Sequence, residues 1–315
     1  MSSNQTSIPT LPQDQGSLRA IKDCAAGSVG GILQVLVGQP FDTVKVKLQT
    51  AVPVSLPGSP APSGSPLLLA FRGVSQDGWT AFYRGTSTPL VGVGMCVSIQ
   101  FLVLESMKRR LAQRNQAQGS VSTDLSGGQL FLAGATAGLA NSVVSGPVEH
   151  IRTRLQIQSN ENRIYQGPWD AIQKIYKRNG LPGLYKAQGV TALREFQGYG
   201  IYFAAYESLV QRECARSGRV REDLGTLEVC AYGAAAGYAM WISMYPIDLV
   251  KSRMQTDGWT AKDRQFTSAI DCTRQIWAQS GFRGFWKGLT PCLLRAAPAN
   301  AVTFLGFEWA MRQLN

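Results

Sequence analysis

The sequence predicts an all-α membrane protein, with six transmembrane helices in three pseudo-threefold repeats and a short surface helix inside each repeat. Three observations carry this. One pattern occurs three times at fixed offsets from a proline: Gly27, Gly31, Pro40, Asp42, Lys45, Gln49; then Gly134, Gly138, Pro147, Glu149, Arg152, Gln156; then Gly233, Gly237, Pro246, Asp248, Lys251, Gln255. A second marker follows in each unit, an aromatic, a base and a small residue (Tyr83, Arg84, Gly85; Tyr185, Lys186, Ala187; Trp286, Lys287, Gly288), with a glutamate 20 residues beyond (Glu105, Glu207, Glu308). Lastly, each unit reads as long helix, short helix, long helix. The prolines stand 107 and 99 residues apart, so the chain is three homologous units of about a hundred residues.

Residues 1–18 are polar and carry neither an apolar signal core nor an Arg-rich transit pattern, so a disordered tail is expected, with targeting information in the rest of the chain. Unit one covers 19–113. Its first helix is predicted from Arg19 to Thr50, and thirty residues make roughly 45 Å, enough to cross a bilayer. Gly27 and Gly31 supply a small-xxx-small face for close helix approach. Pro40 removes a backbone hydrogen bond and turns the last segment, as Pro147 and Pro246 do in their units. Residues 51–66 are Pro/Ser/Gly-rich and read as a flexible loop that the other units lack. A short helix then spans Leu67 to Gln76, closed by Gly78, and a second long helix runs from Thr86 to Leu111.

Unit two, 126–215, repeats the order with Gly128–Gln158, Trp169–Arg178 ended by Gly180, and Gln188–Glu213. Unit three, 225–315, does so with Thr226–Thr256, Thr267–Gln279 ended by Gly281, and Leu289–Gln313. Short, amphipathic and bounded by glycine, the middle helices suit an interfacial position. Six crossings place both termini on one side and the three surface helices on the other.

The net charge of +11 calls for an anionic partner. Because the bases are dispersed over equivalent places in the repeats rather than gathered in one run, a lipid surface is expected and nucleic acid is not. Six cysteines without paired or metal-like spacing read as reduced structural thiols. His150 is the single histidine, and no G-x-S-x-G, H-E-x-x-H or Walker loop is present, so neither an enzyme nor a metal or cofactor site is expected. A mean hydropathy of -0.06 looks soluble, but intramembrane charges that face an internal cavity account for it.

The motifs P-F-D-T-V-K-V-K-L-Q, P-V-E-H-I-R-T-R-L-Q and P-I-D-L-V-K-S-R-M-Q, with D-G-W-T-A-F-Y-R-G after the first, closely resemble the mitochondrial carrier family over residues 19 to 313. The resemblance implies six tilted helices around a pseudo-threefold axis, alternating access to a central site, and residence in the mitochondrial inner membrane. It also implies termini in the intermembrane space and surface helices on the matrix side; a monomer is expected. The second unit departs from the pattern at Asn179 and Ala187, which bears on lipid binding there rather than on the fold.

Asp42, Glu149 and Asp248 each precede a cation by three residues, which allows a local surface pair worth ~0–1 kcal/mol. Their threefold placement favours a ring between neighbouring helices instead: Asp42 to Arg152, Glu149 to Lys251, Asp248 to Lys45. Gln49, Gln156 and Gln255 lie one turn further on and are expected to brace this matrix gate. At the other mouth the family pattern predicts an outer gate of Glu105, Lys108, Glu207 and Glu308. Val210 and Met311 stand where two of its bases belong, so that gate is expected to be weaker and the resting cavity open to the intermembrane space.

Gly92, Arg194 and Arg295 each stand seven residues after the small residue of the second marker, about 10 Å into the helix. A charge facing lipid there costs roughly 3 kcal/mol, so the arginines are expected to face the cavity. With Glu195 they suit a ligand bearing a carboxylate and an amine. An arginine-acid pair with an arginine in the third unit, followed by R-A-A-P-A-N-A, is similar to the amino-acid and carnitine branch of the family. Gly92 leaves unit one without an acid for a second ammonium. A neutral or acidic amino acid or a carnitine-type zwitterion is therefore expected ahead of a basic amino acid, and a proton leak or a structural membrane protein are the other readings. Glycine-bounded helix starts at Gly85 and Gly288, with Arg84 and Lys287 beside them, expose N–H groups that attract phosphate, and the family resemblance implies cardiolipin as that anion.

Overall fold

The computed structural model describes residues 13–50, 66–118, 125–160, 163–260 and 263–314, which are helical with short connections and, among the described residues, without a strand. Among the described residues nine α-helices follow in order: α1 Gln13–Thr50, α2 Pro66–Gln76, α3 Ser87–Ala117, α4 Gly127–Ile157, α5 Pro168–Leu184, α6 Gln188–Ser217, α7 Thr226–Thr256, α8 Ala269–Ser280 and α9 Leu289–Leu314. The six long ones match the predicted spans to within a few residues at most ends. At the N-terminus the prediction is corrected: α1 begins at Gln13, so part of the expected tail is helical. Residues 1–12 of that tail and residues 51–65 of the expected loop lie outside the described residues.

Local chemistry sets several helix ends. Ser126 starts α4 with a capping box, in which its Oγ accepts from Gln129 N (3.3 Å) and Gln129 Oε1 accepts from Ser126 N (3.0 Å). Ser268 Oγ likewise accepts from Asp271 N at 3.1 Å ahead of α8. Gly180, at φ 64, interrupts α5 rather than ending it, because the left-handed region that turns the chain there is open to glycine at little cost. Pro40, Pro147 and Pro246 lie inside continuous helices.

Around the bundle α1 packs on α9, α3 on α4, α4 on α6 and α6 on α7, while α1, α4 and α7 also meet one another pairwise. Each short helix docks on the far half of its own unit's first helix. Val74 and Phe82 bury against Val44; Ala171 and Ile175 against Ile151 and Leu155; Cys272, Ile276 and Phe285 against Leu249 and Val250. Burial of each such side chain contributes about 1.5–3 kcal/mol, so each surface helix travels with its long partner as one body. Outward faces are apolar, with Val91, Leu102, Leu305 and Trp309 exposed. Among the described helices α4 alone is apolar enough by hydropathy to count as a span without a bent partner, because the others carry charges toward the bundle interior.

The glycine faces differ between units, and the expectation that Gly27 and Gly31 bring another helix close is corrected. A Cβ on Gly138 would stand 2.3 Å from the Glu195 carbonyl oxygen, and one on Gly134 2.5 Å from that of Tyr199, so α4 and α6 touch backbone to backbone. At Gly27, Gly31, Gly233 and Gly237 an added Cβ meets nothing within 4 Å. The α1–α9 contact uses Gly306 instead, whose Cβ would stand 3.3 Å from Gly30 Cα. Gly138→Ala is therefore expected to lower thermal stability by about 1–3 kcal/mol through forced separation of α4 and α6, whereas Gly237→Ala leaves it unchanged or slightly raised. Thermal unfolding of the two purified variants checks this.

Candidate functional site

At the level of the three prolines, α1, α4 and α7 present their acids and bases to one another. Arg152 Nη2 lies 2.7 Å from Asp42 Oδ2, Lys45 Nζ lies 2.7 Å from Asp248 Oδ2, and Lys251 Nζ pairs with Glu149 Oε2. All three links join different repeats, in the pairing the threefold argument predicts. They close the bundle at this end. Lys45 is held further by aromatic faces, 4.5 Å from the Trp241 ring centroid and 5.5 Å from that of Tyr245.

The glutamines behave less symmetrically than expected. Gln49 Nε2 donates to Asp248 Oδ2 at 2.9 Å and braces the ring. Gln156 and Gln255 do not reach it: their Nε2 atoms approach the hydroxyls of Thr43 (3.4 Å) and Thr191 (3.5 Å) on neighbouring elements. A threonine hydroxyl placed one helix away captures the amide before any ring carboxylate can. An unforeseen brace is Gln39, whose Oε1 accepts from Arg152 Nη2 while its Nε2 donates to the Arg84 carbonyl at 2.9 Å.

A cavity of about 310 Å³ opens directly above the ring. Arg194, Glu195, Arg295 and Gly92 all line it, and all six ring residues form its floor. Arg194 is 7% exposed and Glu195 4%. Arg194 Nη2 lies 3.0 Å from each Glu149 oxygen and pairs with Glu195 Oε1, and Nη1 stands 3.8 Å from Asp248 Oδ1. Arg295 has an acid partner as well: Nη1 lies 3.2 Å from Asp42 Oδ2. It reaches that position across Gly38, where a Cβ would crowd its Cδ and Nη1 at 3.2 Å. Gly92 packs against Val148, with only 3.0 Å available between an added Cβ and Val148 Cγ1, so its lack of a side chain sets the cavity's width on that wall.

Five cations (Lys45, Arg152, Arg194, Lys251, Arg295) face four carboxylates (Asp42, Glu149, Glu195, Asp248) in this cavity. Buried polar atoms without a hydrogen-bond partner cluster in the same place: Asn141 Oδ1, Arg152 Nε, Arg194 Nε and Arg295 Nε. Unpaired buried polar groups are costly; a ligand with acceptor oxygens satisfies the three arginine donors, and one with an N–H donor satisfies Asn141 Oδ1.

At the opposite mouth, among the described residues, one ion pair joins two long helices, Lys108 Nζ to Glu207 Oε1 at 2.8 Å. The base missing from Glu207's own helix is replaced from the linker by Arg221, 2.8 Å from Glu207 Oε2. Among the described residues Glu105 pairs with Lys108 of its own turn alone (3.7 Å), and Glu308 pairs with exposed Arg312 at 3.6 Å, so the expected four-residue gate reduces there to its Lys108–Glu207 half. Sequence reasoning missed Arg221, which lies between repeats and has no symmetric counterpart.

The second marker also makes contacts of its own with the neighbouring repeat. Arg84's guanidinium is engaged by Asp77 (3.2 Å), the Gln158 carbonyl and Asn160 Oδ1. Lys287 Nζ donates to Ser280 Oγ at 3.1 Å. Gly85 and Gly288 are needed for φ of 77° and 89° and for approach to Arg152 O and Tyr245 Oη, where a Cβ would stand at 3.2 and 2.8 Å. These positions clamp one repeat to the next. Lys186 does the same in unit two, donating to the carbonyls of Asp257 (2.6 Å) and Gly258 (2.9 Å); burial and the Arg154 charge push its amine down to about 7.

The family model described as "Mitochondrial carrier protein" matches residues 16–115, 123–212 and 222–315. Curated relatives span nearly the whole chain. The "Glutamate/glycine mitochondrial carrier ymc1" of Schizosaccharomyces pombe is 45% identical, covering 95% of this chain and 96% of the relative. The "Mitochondrial basic amino acids transporter" of Bos taurus is 36% identical over 90% of this chain and 88% of its own. The "Mitochondrial carnitine/acylcarnitine carrier protein" of Rattus norvegicus is 34% identical, over 97% and 98% respectively.

Proposed function

The chain belongs to the mitochondrial carrier family, and from that premise we propose that it moves a small neutral or acidic amino acid across the mitochondrial inner membrane by alternating access. It is a transporter and not an enzyme. One observation carries the mechanism: Arg194 and Arg295, which line the cavity, each hold a gate carboxylate, Glu149 and Asp42. A substrate carboxylate that binds these guanidinium groups competes with the gate for them. The ring then loses two supporting contacts as the site fills, and substrate binding lowers the cost of opening the proline end. If each ring pair nets about 1 kcal/mol, the gate amounts to a few, a size that differential binding of a small ligand offsets.

Charge selects the ligand class. The cavity holds one cation more than its carboxylates, so a zwitterion leaves that excess unchanged and an acidic amino acid neutralises it. A basic amino acid adds a second uncompensated charge. Glu195 beside Arg194 then serves the ammonium group while the guanidinium groups take the carboxylate. The 45% identical relative named for glutamate and glycine supports the same class. The proline end faces the matrix, both termini lie in the intermembrane space, and one chain forms the whole path.

Purified protein in liposomes, offered labelled glycine, glutamate, carnitine and ornithine, tests the assignment. Saturable uptake of glycine or glutamate in excess over ornithine is expected. Preference for ornithine or carnitine overturns the substrate class, and flux that never saturates overturns the carrier mechanism in favour of a leak.

A further inference from the structure

Three equivalent bases stand seven residues beyond the prolines: Lys47, Arg154 and Arg253. In unit one the base has an acid, with Lys47 Nζ 3.6 Å from Asp77 Oδ2. The positions matching Asp77, each just ahead of a glycine, hold Asn179 and Ser280 in the other units. Arg154 is nonetheless fully engaged by protein. Its Nε faces His150 Nε2 at 3.3 Å, Nη2 donates to the Asp257 carbonyl at 2.6 Å, and the guanidinium lies 4.6 Å from the Trp259 ring centroid.

Arg253 is different. It is 7% exposed, its Nε donates to the Gln49 carbonyl at 3.0 Å, and among the described residues its terminal nitrogens have neither a hydrogen bond nor an ion pair. It lines a second cavity, of about 420 Å³, on the closed side of the gate. That cavity touches Thr50, Ile157 and Thr256, each ten residues beyond its proline, and the rest of its lining belongs to unit three, so it lies beneath the ring on the unit-three side. Gln275 and Gln279 of α8 complete the wall. Both acids of the cavity are occupied. The Asp257 carboxylate accepts from the N–H groups of Gly258 (2.9 Å), Gln265 (2.8 Å) and Phe266 (3.2 Å), and Asp263 Oδ2 accepts from the Thr260 hydroxyl.

We propose that this cavity is a second ligand site, distinct from the transport site, which holds a phosphate or carboxylate group on Arg253 and thereby keeps the gate closed. A guanidinium with free terminal nitrogens matches either oxyanion in bidentate fashion. Thr50 at the end of α1 and Ile157 at the end of α4 close a lining that otherwise belongs to unit three, and Arg253 is itself held to α1 through the Gln49 carbonyl; these contacts part when the ring opens, so the site is complete only in the closed arrangement. A ligand that binds one state alone shifts the equilibrium toward it by the factor 1 + [L]/Kd, about elevenfold at ten times Kd. Supply of the anion from the proline side therefore slows opening without competing for the central cavity.

The test titrates the full-length purified carrier with inorganic phosphate, against chloride at matched ionic strength, and follows thermal stability. Wild type is expected to show a saturable, phosphate-specific rise. Gln279→Glu, an exposed position on the cavity wall, places a tethered carboxylate near Arg253 and is expected to abolish the response; Arg253→Lys, which keeps the charge and loses the fork, is expected to weaken it. A rise produced by vesicles of anionic lipid and not by free phosphate, and absent in Gln279→Glu, supports the site and identifies a headgroup as its ligand. No phosphate-specific rise with either source, or a rise that survives intact in Gln279→Glu, overturns the proposal. In liposomes, phosphate on the proline side is expected to lower the maximal rate several-fold with KM at the other mouth unchanged, and a rise in that KM instead means competition at the central cavity and also overturns it.

Discussion

Arg194→Ala is expected to reduce substrate uptake to background and to lower thermal stability by about 3–5 kcal/mol, the cost typical of breaking a buried charge cluster from one side. The reason lies in what it leaves behind. Glu195 is 4% exposed, and it is left with the neutral side chains of Ser145 (Oγ at 3.5 Å) and Asn141 as hydrogen-bond partners. Glu149 keeps Lys251 and Asp248 keeps Lys45, but the guanidinium that ties these acids together across α4, α6 and α7 is gone. Loss of charge-assisted bonds to substrate alone removes roughly 1.5–3 kcal/mol, or up to a hundredfold in rate, before any effect on the gate. The paired variant Arg194→Leu with Glu195→Leu separates folding from transport. Replacing a buried pair by apolar groups is close to neutral, so stability returns while uptake does not. Uptake by Arg194→Ala near the wild-type rate contradicts a substrate role for this residue.

Arg295→Ala is expected to behave in the opposite proportion, with a large loss of transport and a small loss of stability. Its single acid, Asp42, retains Arg152 at 2.7 Å, and the Arg295 side chain is 27% exposed to the cavity. The structural penalty is therefore about 1 kcal/mol or less. A missing guanidinium–carboxylate contact costs about 1.5–3 kcal/mol of substrate binding, which appears as a KM raised roughly 10- to 100-fold. Uptake kinetics and thermal unfolding on the same preparation check both halves. A fall in stability as large as that of Arg194→Ala identifies Arg295 as part of the scaffold instead.

Whatever obeys the threefold repeat was legible in the sequence. The ring pairs follow from three acids and three cations at equal offsets, and each finds its partner in the next repeat. Contacts that break the symmetry were not legible. The residue before each proline is Gln39, Gly146 or Tyr245, and two of these support the gate in unrelated ways, one by hydrogen bonding Arg152 and the other by lying beneath Lys45. Arg221 belongs to a linker that has no counterpart. Gln156 and Gln255 were read by analogy with Gln49, but the side chains opposite them, Thr43 and Thr191, decide where the amides point. Glycine spacing showed where helices can approach. Which of them do so depends on facing residues such as Glu195 and Tyr199, far away in the chain.

Alternation of access around one central cavity is tested most directly by side-resolved thiol labelling of a variant that keeps Cys96, which lines that cavity, as its single cysteine. At rest a membrane-impermeant reagent is expected to react from the Lys108–Glu207 mouth and not from the proline end. Glycine or glutamate supplied at that mouth is expected to slow labelling from the same side and to start labelling from the other. Equal reactivity from both sides at rest, or labelling that ignores the amino acid, contradicts the mechanism.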